Sequence, residues 1–200
     1  EHVLAQGMRL VTWTFDPLVG RNAHLNLARL GGICRLYIPD AYGELTGINA
    51  GLATDRVEVE WWVASQHVAD RLAGSARVGR RDWEAALGVG VVNESAARPD
   101  GLRAPAETAE LPSPPPPYIL VEAPGDIGAI KAADMGLARA WQAHLRALLQ
   151  AVFSLKPEPY TITHFASEVE AGGRRSYYLL QRGFDVAALA GEGSGADRAR

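Results

Sequence analysis

Hydrophobic and polar positions divide the chain into short elements. Residues 10–15, LVTWTF, combine β-branched and aromatic side chains as a buried strand does. Asp16-Pro17 stops that strand, since proline gives the sheet no N–H. Leu18, Leu25 and Leu30, with small Ala23 and Ala28, then follow a helical period that ends at Gly31-Gly32. Residues 33–37 predict a second strand and residues 56–63 a third, with one wet face. Residues 41–54 read as a loop. Ser65 reads as the N-cap of a helix through Leu72, and residues 82–87 as another short helix. Residues 88–92 read as a short strand. Residues 118–122 predict a strand, followed by helical periodicity from Ile127 to Phe153 with a restart at Asp134. Residues 160–168 and 175–181 predict a hairpin around 171–173.

Composition breaks at residues 94–117, rich in alanine and proline, which reads as an extended linker between 1–93 and 118–184. The second segment is expected to complete the first sheet or to stand beside it as a half-domain. Residues 185–200 are a small, polar tail expected to fray. The fold class that follows is α/β of the α+β type: a mixed, mainly antiparallel sheet flanked by helices.

Net charge is −3 over 200 residues, which argues against a nucleic-acid partner. No apolar run is long enough to span a membrane. The single Cys34 falls in an apolar strand, reads as an inert core thiol, and fits a cytoplasmic setting. His24, His144 and His164 lack metal-ligand spacing, so no metal site is expected.

Several blocks carry a family resemblance: T-W-T-F-D-P-L at 12–18, R-N-A-H-L-N-L-A-R-L-G at 21–31, Tyr42-Gly43, Thr54-Asp55-Arg56 and Glu60-Trp61. Ile130-Lys131-Ala132-Ala133-Asp134 and Arg175-Ser176-Tyr177-Tyr178 continue the series. The chain resembles the C-terminal part of the GNAT superfamily of acyl-CoA N-acyltransferases, in a little-characterised bacterial branch of predicted acetyltransferases. The resemblance implies acetyl-CoA as co-substrate and a small amine, such as an amino-acid derivative, as acceptor; it leaves a homodimer open. It also implies a V-shaped opening between two splayed strands, the second resembling residues 9–15. Thr12, Trp13 and Thr14 would line that opening, with Asn22 and Asn26 facing the pantetheine amides. On the substrate side stand Asp16, Tyr42, Asp55 and Arg56, with Glu44 and Tyr177 as further candidates.

The family's phosphate-holding turn, Q/R-x-x-G-x-G/A, does not precede residues 1–7, which read as the end of a helix. Residues 77–81 are basic and glycine-containing but wrongly spaced, and Leu27 stands where many members of the resembled family place a tyrosine used as general acid. A full site is therefore expected to need residues N-terminal to Glu1. The residues name no general base or acid. A non-catalytic relative, used for ligand binding or assembly, is the rival class.

Overall fold

The computed structural model describes residues 2–43, 51–74, 78–108, 111–170 and 172–191. A short helix α1 (His2–Ala5) leads into β1 (Leu10–Phe15). Helix α2 (Gly20–Ala23) continues without a break into a π-helical turn, His24–Arg29. Strands β2 (Ile33–Ile38) and β3 (Arg56–Trp62) and helices α3 (Gln66–Leu72) and α4 (Arg80–Leu87) complete the first part. Two-residue strands β4 (Ala96–Ala97) and β5 (Arg103–Ala104) pair with each other. Then come β6 (Tyr118–Ala123), α5 (Ile127–Ala133), α6 (Met135–Ser154), β7 (Tyr160–Glu170), β8 (Gly173–Arg182) and α7 (Val186–Gly191).

Six strands form one sheet in the order β1-β3-β2-β7-β8-β6, and every neighbouring pair is antiparallel. Parallel pairing among the described residues is confined to a single bridge, Val91–Leu120. The expected α+β architecture is therefore present, with helices packed on the sheet. The second segment joins the first sheet instead of standing apart, but the junction is narrow: β2 and β7 share one residue pair, Cys34–Ile162. The sheet is thus two three-stranded halves joined at one point.

Alternation sorts the buried side chains. On β8, Tyr178 and Leu180 join the large core with Ile119 and Val121 of β6. Tyr177 and Leu179 point the other way and meet Trp83, Val89, Leu120 and Ala166. Helix α6 gives the large core Leu137, Trp141, Leu145, Leu148, Leu149 and Val152, the helical stripe its sequence predicts. Its N-cap is Asp134, whose carboxylate accepts from Leu137 N at 2.9 Å, so the restart falls where the pattern put it. Ser65 likewise caps α3. Cys34 is fully buried.

Two elements differ from the pattern. Residues 24–29 wind as a π-turn, not an α-helix. Asn26 and Leu27 are both buried there, and the wider turn narrows the angle between consecutive residues enough to bring both inward. Residues 88–92 pair only through the one bridge at Val91 and do not form a strand of their own.

The proline-rich stretch packs against the sheet. Tyr160 Oη donates to Pro116 O at 2.5 Å and Arg182 Nη1 to Pro115 O at 2.6 Å. Asn93 and Ser95 are buried at its start. Among the described residues no helix is long and apolar enough to cross a membrane.

Candidate functional site

β1 is a terminal strand, and its register shows which of its main-chain groups are left over. Val63 N donates to Arg9 O at 3.0 Å, one step beyond the Leu10–Trp62 pair. In an antiparallel ladder a residue's N–H and C=O point to the same side, and successive residues alternate. Arg9, Val11, Trp13 and Phe15 therefore bond to β3. The N–H and C=O of Leu10, Thr12 and Thr14 point away from it, and no strand among the described residues takes them.

Side chains fix this strand from both faces. On one, Trp13 Nε1 donates to Asn26 Oδ1 at 3.0 Å, and its ring meets Trp61 edge-on at 6.1 Å. Trp61 Nε1 in turn donates to Leu30 O at 2.8 Å. The π-turn thus holds the strand through a buried amide rather than through packing alone. On the other face, the Thr14 and Tyr42 hydroxyls lie 3.3 Å apart. The Arg56 guanidinium sits 5.0 Å over the exposed Tyr42 ring. The Thr14 hydrogen bond and the Arg56 charge both pull the Tyr42 phenol below its ordinary pKa.

Beyond the end of β1, Asp16 Oδ1 accepts from Leu18 N at 2.9 Å, an Asx-type turn ahead of α2. Burial raises the Asp16 pKa; the Leu18 bond, Arg56 and Lys131 oppose that rise. Arg56 Nη1 donates to Asp55 O at 2.7 Å. The Asp55 carboxylate is itself buried. It accepts from Tyr37 Oη at 2.6 Å, Asp40 N at 3.1 Å and Arg146 Nε at 2.8 Å, and Arg146 Nη2 meets its Oδ1. These bonds outweigh the cost of burial and lower its pKa. Asp55 thus anchors α6 to the first half of the sheet, and its oxygens are taken.

A groove of about 1720 Å³ is walled by residues of α2 and the π-turn, α3, α4, α5 and β7. Asp16, Arg56 and Lys131 line one end; Arg71, Trp83 and His164 line another part of it. The His164 Nδ1 lies 2.9 Å from Thr163 Oγ1, and its ring meets His67 and Trp83 edge-on. Burial, with help from Arg71 and His67, pushes the His164 pKa down to about 3, so the ring is neutral.

The candidates read from the sequence therefore separate. Thr12, Trp13, Thr14 and Asn26 gather at the open strand, with Asn22 on α2 beside them in sequence. Asp16 and Arg56 reach the groove, and Tyr42 packs beside Arg56. Asp55 is locked in an ion pair. Tyr177 is fully buried on the opposite face, where its hydroxyl accepts from Arg80 Nη1 at 2.8 Å. Glu44 lies outside the described residues, as do residues 75–77 around the start of the basic stretch. Lys131, by its pattern a solvated helix charge, is half-buried on the groove wall. Its only signal in the sequence was its place in the I-K-A-A-D block of the resemblance.

A second charged cluster lies on β6 and β8, at the other edge of the sheet from β1. Glu122 accepts from Arg175 Nε at 2.9 Å, Arg175 Nη2 at 2.6 Å, Ser95 Oγ at 2.6 Å and Ser95 N at 2.8 Å. Each of these bonds is internal, so the cluster supports the fold. Comparison of the chain with family models, with curated proteins and with solved structures returned no match.

Proposed function

We propose that the chain carries the C-terminal part of a GNAT-type, acyl-CoA-dependent N-acyltransferase that moves an acetyl group from acetyl-CoA to a small amine. The observation that supports this reading best is the outer edge of β1, which no strand among the described residues pairs. Thr12 and Thr14 offer outward N–H and C=O groups, spaced two residues apart as the amides of an extended pantetheine arm require. Trp13, pinned by Asn26, and Thr14, touching Tyr42, keep that edge in place. Backbone donors of this kind also suit the oxyanion of an acyl transfer.

The step balances simply. The neutral amine nitrogen attacks the thioester carbonyl carbon; a C–N bond forms and the C–S bond breaks. The proton lost from nitrogen goes to a base or to water, and the departing thiolate takes up one proton. Asp16 faces the groove, and the Leu18 N–H, Arg56 and Lys131 favour its carboxylate against burial, so it is the residue best placed to receive the amine as its ammonium form.

Titration calorimetry with acetyl-CoA tests the reading, on this chain and on the longest gene product that contains it, followed by thiol release with a panel of amines. Binding and release by the longer product support an enzyme. Binding without release under any amine supports the non-catalytic relative. No binding by either sinks both.

A further inference from the structure

The groove carries a charge imbalance that the chain as a whole does not. Net charge is −3, yet six cations line this one cavity: Arg21, Arg29, Arg56, Arg71, Lys131 and Arg174. Four acids line it as well, and each accepts a hydrogen bond from a main-chain N–H while keeping its charge. Asp16 accepts from Leu18 N at 2.9 Å, Asp82 from Gly79 N at 2.8 Å, Asp126 from Ala129 N at 3.1 Å and Glu168 from Arg80 N at 2.6 Å. Three of them thereby close helix N-termini.

The cations outnumber these acids, and the bonds they make inside the protein, Arg56 Nη1 to Asp55 O and Arg174 Nη1 to Ser167 Oγ, leave their charge uncancelled. No ion pair joins any of the six to a carboxylate of the described residues. Elsewhere the chain pairs its arginines freely, as Arg80, Arg98, Arg103, Arg146 and Arg175 do. Arg56, Arg71 and Lys131 are also half-buried; Asp16 acts on Arg56 and Lys131, and Asp70 on Arg71, without closing an ion pair, so each can still meet an incoming anion. A concave wall of one sign raises the local concentration of the opposite sign.

We propose that this groove seats the amine acceptor and that the acceptor is an acidic molecule, an amine carrying carboxylate or phosphate groups. The inference rests on the N-acyltransfer reading for the word acceptor, and on the groove alone for the word acidic. The amine end lies at Asp16, next to the end of β1. The acidic groups lie along Arg56, Lys131 and the cations beyond. The groove's volume exceeds that of an ordinary drug-sized pocket, which fits an elongated ligand with separated charges.

Calorimetric titration of the chain with citrate and with pyrophosphate tests this, since neither probe has an amine or a thioester. The two arms separate carboxylate from phosphate recognition. Binding that weakens with added salt is expected for at least one of them. A double variant, Arg56→Gln with Lys131→Gln, should bind about tenfold more weakly, while Arg182→Gln, outside the groove, should bind as the parent does. No binding of either probe at low salt, or a double variant equal to the parent, overturns the assignment. Displacement of bound pyrophosphate by acetyl-CoA gives the groove to the cofactor's phosphates, which overturns its role as the acceptor's seat. Acetyl-CoA binding without anion binding sinks this inference alone; anion binding without acetyl-CoA binding by any longer product sinks the acyltransfer reading.

Discussion

β6 and β1 are the two terminal strands of one sheet, and they finish their outer edges in opposite ways. Along β6, Leu120 N donates to Gly90 O and Val92 N to Leu120 O, each at 3.0 Å. Asn93 then mimics one more residue of strand: its Oδ1 accepts from Glu122 N at 2.7 Å and its Nδ2 donates to Glu122 O at 2.9 Å. Along β1, the outward groups of Leu10, Thr12 and Thr14 meet no described strand, and Leu10 and Thr12 are exposed. Unpaired edges invite association, and proteins normally cover them. This chain covers one with main chain and a buried charge cluster, while among the described residues no strand covers the other, beside its candidate ligand residues. The contrast sets a β7-β8-β6 half closed by its own residues against a β1 edge left open to the described strands, which is what the proposed binding role requires.

The largest effect that would break this comparison comes from Glu122. Glu122→Ala leaves Arg175 buried without its main partner and strips Ser95 of two bonds. Removing one member of a buried pair costs about 3–5 kcal/mol. Urea unfolding should show a loss of that size; a loss under about 1 kcal/mol would mean the cluster is decoration and the β6 edge is not specially held.

Asn93→Ala comes next. It leaves the Glu122 N–H and C=O buried without partners while keeping every apolar contact of β6. The expected cost is about 1–3 kcal/mol. Hydrogen exchange supplies a sharper reading: the Glu122 amide should lose protection while the Trp13 amide, which bonds to β3, keeps its own.

Acid should attack the sealed half first. His164 on β7 has a folded pKa of about 3, below its ordinary 6.5, so between those values the unfolded chain binds a proton that the folded chain refuses. Its contribution is fully present above about pH 6.5 and is lost as pH falls toward 3. His144, lowered by burial, acts in the same direction. Glu122, held low against its own burial by Arg175 and Ser95, adds a loss only as pH falls through and below its ordinary carboxylate range. Asp16 runs the other way: burial raises its pKa, so its contribution favours the fold at low pH and fades as pH rises. Unfolding free energies measured from about pH 7 to 5 should fall, and His164→Phe should flatten that slope. An unchanged slope would move the acid-sensitive group elsewhere.

What the sequence disclosed about these two edges follows from range. The β1 strand, the caps at Ser65 and Asp134, and the β7–β8 hairpin rest on neighbours within a few residues, so composition and period reveal them. That β3 inserts between β1 and β2 depends on pairing across roughly forty to fifty residues, and no local pattern encodes it. The role of Asn93 was hidden for the same reason: it stands just ahead of a stretch whose prolines and alanines read as a connector. Glu122 was the one visible sign, a single carboxylate inside an apolar strand. On the site side, Trp13, Thr14, Asp16 and Asn26 sit in one contiguous stretch and could be named together, whereas the groove cations come from five separate segments and could not.

The smallest stability effect gives the most direct test of the open edge. Proline removes one main-chain N–H, and its cost depends on where that N–H pointed. Trp13 points its N–H at β3, so Trp13→Pro breaks a ladder bond and should cost about 3 kcal/mol or more, side-chain losses included. Thr12 points its N–H outward, where proline on an edge strand is tolerated, so Thr12→Pro should cost only about 1 kcal/mol. The same variant removes an outward donor from the wall proposed for the pantetheine arm. Acetyl-CoA should then lose its stabilising shift in melting temperature while the unliganded protein melts near the parent. If Thr12→Pro instead destabilises as much as Trp13→Pro, the Thr12 N–H is already bonded in the folded protein, and the β1 edge is as closed as that of β6.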